Sequence, residues 1–296
     1  MAKPFSLAII LLALITILQL TTLYLINRSP ASPYILPKLM WVYWDTPDRP
    51  SIIEKIKRHN STSLIGWTVI YLDNTMLSTY IPKEAYPQNF DAIGAAAKSD
   101  WIRLYLLSTY GGCWMDAAIV VNTPDAMLDL YNESLMSEAD LICFQTGPQT
   151  FVHRTGRILP KLIDSWCIMA PLRSRLVKLW REEFERAIDM GFLAYKQETL
   201  RRGIDLSAIY FDSPEDTYLT VHIAIQAVVQ NPSLNLPILL IKQSSESMFR
   251  IQEECKGDLK CFADRFNNDP IAKSLPYIKL SRYERKRDID GFFKQA

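Results

Sequence analysis

The sequence has almost no excess charge. Lysine and arginine number 33 against 32 aspartates and glutamates, a formal net charge of +1, so no basic field exists to hold a nucleic-acid backbone and nucleic acid is not an expected partner. Metal-binding side chains are scarce as well. The five cysteines (Cys113, Cys143, Cys167, Cys255 and Cys261) form no pair of C-x-x-C units and only three histidines accompany them, which argues against a structural zinc site. An odd cysteine count also argues against a disulfide framework; the single close pair, Cys255 and Cys261 around the polar turn Lys256-Gly257-Asp258, would join in an oxidising compartment. There is no phosphate loop of the G-x-x-x-x-G-K-[ST] form and no second cluster of acids for two metals, which disfavours a phosphohydrolase. Repeats and low-complexity inserts are absent too. What is present is 296 residues, 49% of them hydrophobic, enough for one substantial core or two.

A charge-free run opens the chain. Phe5 to Ile26 spans 22 residues, and roughly 20 suffice to cross a bilayer as a helix. The competing reading, a cleaved signal peptide, would have an apolar region of about 7–15 residues and a small-residue cleavage site, whereas Leu23, Tyr24, Leu25 and Ile26 fill that end here. The expected organisation is a short cytosolic tail over 1–4, a transmembrane signal anchor over 5–26, a stem over 27–36 with the string Ser29-Pro30-Ala31-Ser32-Pro33, and a folded domain over 37–296. Lys3 and the terminal amine against Arg28 lean toward a cytosolic amino end. That single-pass type II arrangement places the domain in a secretory lumen, where Asn60-Ser61-Thr62 and Asn132-Glu133-Ser134 could accept glycans.

Beyond the stem, apolar runs of strand length alternate with stretches of helical period, the pattern of an α/β sheet covered by helices. Strands are expected at Leu39 to Trp44, Trp67 to Leu72, Leu141 to Phe144, Trp166 to Ala170 and Ile238 to Ile241. Ser51 with Glu54 reads as a capping box for a short helix, a second helix follows Pro171, and Ser213-Pro214 reads as the start of another running to about Gln230.

The chemistry concentrates between Asp91 and Val121. Ala95 to Leu107 describes a largely buried helix ending at Gly111, Gly112 permits a sharp turn, and Cys113-Trp114-Met115 reads as a short strand that delivers Asp116 at its end. Ligands of open α/β sheets sit beyond the carboxyl ends of strands. Asp100 and Arg103, three apart, share a helix face. Two carboxylates and a guanidinium near one point suit a hard divalent cation together with substrate phosphates; taken singly, an ordinary helix ion pair and a turn aspartate would account for them.

These residues also carry a resemblance. Ala97-Lys98-Ser99-Asp100-Trp101-Ile102-Arg103, then Tyr110-Gly111-Gly112-Cys113-Trp114-Met115-Asp116-Ala117-Ala118, resembles the signature of the DXD-containing sugar transferases, a group that includes capsular polysaccharide synthesis proteins, yeast mannosyltransferases that initiate outer chains, and the glucosylating domains of large clostridial toxins. Pro37-Lys38-Leu39-Met40-Trp41-Val42-Tyr43-Trp44 is similar to the group's opening motif, and the capsular polysaccharide branch matches best. The resemblance implies an α/β, Rossmann-like GT-A glycosyltransferase domain that takes a sugar from a nucleotide-diphosphate donor, usually with Mn2+ or Mg2+ and with retention, and passes it to a glycan or glycolipid acceptor. Carried across by position, Asp116 is the first DXD aspartate, a contact to donor ribose or metal; Asp100 and Arg103 hold the donor sugar and its phosphates; Trp41 or Trp44 stacks on the base or packs in the core. His222, four residues after Tyr218, is a ligand or phosphate contact, or a hydrogen-bonded core histidine. Ala118 stands where a full motif has its second acid, so an inactive glycan-binding or scaffolding protein of the same fold is the alternative. A lumenal site suits such chemistry, because nucleotide sugars are imported into the Golgi. His59 and His153 default to the surface, and Arg282 to Arg287 reads as a solvated tail.

Overall fold

β-branched and aromatic residues dominate the segments that become strands, and glycine or proline punctuates them. The computed structural model describes residues 34–153 and 156–293. Ten strands are present among them: β1 (Leu39–Tyr43), β2 (Thr68–Leu72), β3 (Gly112–Met115), β4 (Ile119–Val121), β5 (Leu141–Gln145), β6 (Thr150–Val152), β7 (Ile158–Pro160), β8 (Asp164–Ala170), β9 (Leu239–Gln243) and β10 (Tyr277–Lys279). The principal helices are α1 (Ser51–Ser63), α2 (Ala95–Tyr110), α3 (Pro124–Ser137), α4 (Arg175–Met190), α5 (Phe192–Arg201), α6 (Thr220–Val229) and α7 (Leu259–Asn268). The 5–26 anchor lies outside the described residues, among which no helix is long and apolar enough to cross a membrane.

Six strands form one sheet in the order β2-β1-β3-β8-β5-β9. β1 runs parallel to β2 and β3, β5 runs parallel to β9, and β8 is antiparallel to both β3 and β5. Five strands therefore point one way. Their carboxyl ends, and the amino end of β8, lie along one edge of the sheet. This is the mixed, mostly parallel α/β architecture expected from the alternation of elements. Two small antiparallel pairs, β4 with β10 and β6 with β7, stand outside the main sheet.

The core sits where α2, α4 and α6 cover one face of this sheet. Trp41, Trp101, Trp114 and Trp180 are each at most 1% exposed there. A second apolar cluster gathers Ile53 and Ile56 of α1, Val120, Ile278, Phe262 and Phe266, and it includes Ala118 at 3% exposure. Asn60 links the two regions. Its amide donates to the Ile119 carbonyl (2.8 Å) and accepts from the Val121 N–H (2.9 Å), which completes the edge of β4 that β10 leaves open. The Asn60 glycan acceptor is thereby corrected, since the side chain is buried and both ends of its amide are engaged.

Several local expectations change in the same way. Pro50, not Ser51, is the cap of α1, and no side chain caps it; Ser51 is already inside the first turn. The helix expected from Ser213-Pro214 starts at Thr220. The intervening chain closes on itself instead: the Asp216 carboxylate accepts from the backbone of Asp212 and Tyr218, and Lys196 Nζ donates to the carbonyls of Pro214 and Asp216. These bonds satisfy the backbone without helix. His153 is 4% exposed, and His59 lies half-buried against Phe292 and Phe293, where burial lowers its pKa; neither is a surface histidine. Cys255 and Cys261 are joined as a disulfide, and Cys113, Cys143 and Cys167 are buried free thiols.

Candidate functional site

Two glycines set the site. Gly111 (φ +67°) and Gly112 (φ +92°) end α2 and begin β3 with almost no space for a side chain: a Cβ on Gly111 would lie 2.6 Å from the Leu172 backbone nitrogen, and one on Gly112 would lie 2.4 Å from the Leu39 backbone oxygen. Positive φ combined with such close approach admits only glycine. The chain can then reverse from the end of α2 into β3 beside β1, so that Asp116 emerges at the carboxyl edge of the sheet. Its backbone N–H donates to the Trp166 carbonyl (2.9 Å), which prolongs the β3–β8 ladder by one step.

The helix returns Arg103 to the same point. Arg103 is 4% exposed although it carries a full charge, and a buried guanidinium must be paired. Its Nη2 donates to Asp116 Oδ1 (3.0 Å), its Nη1 forms an ion pair with Asp100 Oδ1 (2.8 Å), and its planar group lies over the Trp114 ring. The expected trio of Asp100, Arg103 and Asp116 is thus one cluster. Nε and Nη1 of Arg103 are buried without a hydrogen-bond partner, the Asp100 contact being off the line of a hydrogen bond. Trp114 Nε1 also donates to Asp116 Oδ1 (3.0 Å).

Lys279 was invisible from the sequence. It lies 163 positions from Asp116 and arrives through the pairing of β10 with β4, where it stands opposite Ile119. Its Nζ donates to Asp116 Oδ2 at 2.7 Å. Arg285, read from the sequence as part of a solvated tail, is turned inward with its guanidinium 5.8 Å from the Trp44 ring centre, and Asp116 and Tyr218 are among the groups whose fields it feels.

Ionisation follows from this arrangement. Burial alone would raise the Asp116 carboxyl, but the Lys279 ammonium and the Arg103 guanidinium, with hydrogen bonds from Lys279 and Trp114, outweigh it and hold the pKa at about 2. Asp100 is pushed up to about 7, chiefly by burial and further by the neighbouring Asp116 charge. The two neighbouring carboxylates are thus pushed in opposite directions. Burial and the nearby Arg103 lower His222 to about 4, so its ring is neutral, and its Nδ1 is buried without a partner. A third acid, Asp164, opens β8 on the same edge; burial raises it to about 6, against hydrogen bonds from Thr146 and Ser244 at the ends of β5 and β9.

The two tryptophans separate. Trp41 is 1% exposed, its Nε1 donates to the Gly111 carbonyl (3.0 Å) and its ring packs against Tyr80 and Tyr110; it has no face to offer a nucleotide base and belongs to the core. Trp44 follows β1 at the carboxyl edge and is half-buried beside Arg285. Asp116 keeps 28% of its side chain open to solvent, so the cluster is not sealed by apolar packing. A separate cleft of about 280 Å³ beside the ends of β5 and β9, lined by Phe144, Lys242, Gln243, Glu246 and Tyr277, does not include it.

A divalent cation fits this donor set poorly. Lys279 occupies one side of Asp116 Oδ2, Arg103 and Trp114 share Oδ1, and Ala118 lies in apolar packing. Among the described residues, no three His, Cys, Asp or Glu side chains gather in a group that could hold a metal ion.

A family model described as "Capsular polysaccharide synthesis protein" matches residues 24–187, more than half of the chain. The O-glycosyltransferase PaGT of Phomopsis amygdali is 26% identical over 162 residues, which make up 50% of this chain and 38% of that protein, so the chain spans well under half of that relative's length. Among solved structures, a glycosyltransferase involved in the glycosylation of the major capsid of PBCV-1 superposes with a TM-score of 0.40 at 11% identity, over 84% of this chain and 97% of the other. The PaToxG glycosyltransferase superposes with a TM-score of 0.36 at 12% identity, over 88% and 87%.

Proposed function

The chain belongs to the capsular polysaccharide synthesis protein family, and from that premise we propose that it is a glycosyltransferase of GT-A type, which moves a sugar from a nucleotide-diphosphate donor to a glycan or lipid-linked acceptor. The observation that carries this reading is the charged cluster at the carboxyl edge of the sheet, where the buried Arg103 guanidinium is clamped between Asp100 and Asp116 and Asp116 stays partly open to solvent beside Lys279. A partly exposed cluster in which cations gather suits an anion of matching geometry, for which a diphosphate is the natural occupant. The O-glycosyltransferase activity of the fungal relative supports the same reading.

The difficult step is departure of the sugar from the diphosphate, which builds negative charge on the leaving oxygen. Arg103, Lys279 and Arg285 converge where that charge grows. Asp116, held as an anion, orients Arg103 and Lys279 and leaves solvent-facing surface for donor hydroxyls. No covalent nucleophile stands out, so attack on the same face as the leaving phosphate, with retention, is the mechanism we favour. The charge-free run over 5–26 supports an anchored domain in a Golgi-type lumen.

Nucleotide release by the full-length chain from a panel of nucleotide sugars tests the reading. At least one donor is expected to turn over, and Asp116→Asn is expected to lower that turnover by at least about a hundredfold while keeping a cooperative melt. Equal turnover by a folded Asp116→Asn would refute the assignment of the site. Binding without turnover across every donor would instead favour the inactive glycan-binding scaffold.

A further inference from the structure

The positive charge at this site is supplied by the protein itself. In a site that holds a donor diphosphate through a divalent ion, carboxylates present free lone pairs to the ion. Here three of the roughly four lone-pair sites of Asp116 are taken: Oδ2 receives Lys279 Nζ at 2.7 Å, and Oδ1 receives both Arg103 Nη2 and Trp114 Nε1 at 3.0 Å. Asp100 faces Arg103 at 2.8 Å. Position 118, where a second acid would complete the motif, is buried among Ile53, Ile56, Val120 and Ile278, and its carbonyl accepts from the Leu280 N–H (2.9 Å). An acid introduced there would enter an apolar cluster, so the missing carboxylate reflects a different packing of the turn and not a simple replacement within a metal site.

The charges point the same way. Three acids stand on this edge, Asp100, Asp116 and Asp164, and Asp116 is paired with both Arg103 and Lys279 and lies within the field of Arg285. A divalent ion placed on Asp116 would share that carboxylate with an ammonium and a guanidinium a few ångströms away, with repulsion strong in a partly buried place. A diphosphate brings the opposite sign. An ammonium has three rotatable donors; Lys279 directs one at Asp116, which leaves two for phosphate oxygens.

We propose that the Lys279 ammonium, seated on Asp116 by the β4–β10 pairing, takes the place of the divalent cation, and that the chain binds its donor diphosphate and transfers sugar without a metal ion. The proposal rests on the glycosyltransferase reading above. It assigns Lys279 the role of neutralising the leaving diphosphate, with Arg103 and Arg285 supplying the charge that a single ammonium lacks.

Titration calorimetry of the metal-stripped full-length chain with UDP and with GDP, in excess EDTA and then in excess Mn2+, reads binding without requiring turnover. At least one diphosphate is expected to bind in EDTA with an affinity within about threefold of that in Mn2+, a difference of less than 1 kcal/mol. Lys279→Met is expected to weaken that binding by at least about tenfold and Lys279→Arg to restore most of it, a pattern that loss of packing alone would not give. Nucleotide release from the preferred donor should likewise change less than about twofold on adding EDTA to the parent. Binding or turnover that falls more than about tenfold in EDTA and returns with Mn2+ overturns the proposal and leaves the transferase reading standing. Diphosphate binding in EDTA that depends on Lys279, with no donor turned over, supports the metal-free site and overturns the transferase. Failure of both diphosphates to bind under either condition overturns both.

Discussion

Alanine at Gly112 and alanine at Gly66 are chemically the same change with very different expected outcomes. Both glycines hold positive φ, +92° and +84°, so each alanine meets left-handed backbone strain of about 1–2 kcal/mol. At Gly66 nothing lies within 4 Å of the added Cβ, and that strain is the whole effect. At Gly112 the Cβ would lie 2.4 Å from the Leu39 backbone oxygen and 3.1 Å from the Leu39 Cβ. A backbone oxygen in a strand cannot rotate away as a side chain can, so β1 would have to withdraw from β3, where Met40 pairs with Cys113 and Trp41 with Trp114. Overpacking of a core adds about 1–3 kcal/mol. The total for Gly112→Ala is then roughly 2–5 kcal/mol, a large part of the 5–15 kcal/mol that separates a typical folded domain from its unfolded chain. Urea unfolding followed by far-UV circular dichroism compares the two variants with the parent. Gly66→Ala should fall within about 2 kcal/mol of the parent, whereas Gly112→Ala should lose about 2–5 kcal/mol and more than Gly66→Ala, or fail to yield folded protein. Equal midpoints for the two variants would refute the claim that close strand approach fixes the diglycine, and with it the account of how Asp116 is aimed at Arg103.

Two further predictions concern buried polar groups. Asn60→Ala should cost about 2–4 kcal/mol, because it leaves the Val121 N–H and the Ile119 carbonyl buried and unpaired; it should also leave the electrophoretic mobility of material from a glycosylating host unchanged, and a lost endoglycosidase-sensitive shift would contradict the burial of that side chain. Asp100, raised from 3.8 to about 7, keeps its proton in the native state at pH values where the unfolded chain has released it. Its contribution is therefore fully present below about pH 4 and is lost as pH rises through 7. Asp116, depressed to about 2, behaves in the opposite sense: its contribution is present above about pH 4 and is lost as pH falls through 2. Asp100→Asn removes the first of these slopes, so its stability relative to the parent should rise between pH 5 and pH 8, by at most ~3 kcal/mol. Urea midpoints at the two pH values check this, and a constant difference would show that Asp100 does not titrate as its surroundings imply.

The parts of the molecule legible in the sequence are those fixed by neighbours along the chain. Strands β1, β2, β3, β5, β8 and β9 follow apolar runs, and the cluster of Asp100, Arg103 and Asp116 follows from one helix turn and one diglycine. Illegible were the contacts made across long separations. Nothing near Lys279 in sequence distinguishes it from the other lysines, because its role is created by a register between β4 and β10. Arg285 sits in a run of charges that looks solvated until Trp44 is found beside it. Trp41 and Trp44 differ only in the parity of their places along β1 and beyond it, and the sheet's two faces decide which is core. The delayed start of α6 came from backbone bonds to Asp216 and Lys196, side chains whose helix-compatible alternatives are equally good locally.

The long-range cations bear on how far membership in the family extends to chemistry. The matched residues, 24–187, contain Asp100, Arg103 and Asp116 but end well before His222, Lys279 and Arg285. The signature therefore carries one cation, Arg103, shared between its two acids, and leaves the rest of the charge balance to another stretch of chain. Two carboxylates beside each other at a partly buried sheet edge repel, and Asp116 takes a further positive partner. That partner can be an ion from solution or a side chain from elsewhere in the fold, and the signature is indifferent to which. In this chain the β10 strand brings the partner with it, at 2.7 Å from Asp116. A motif that specifies where negative charge stands thus leaves open what neutralises it, and the choice is made by whichever segment packs against the turn after β3.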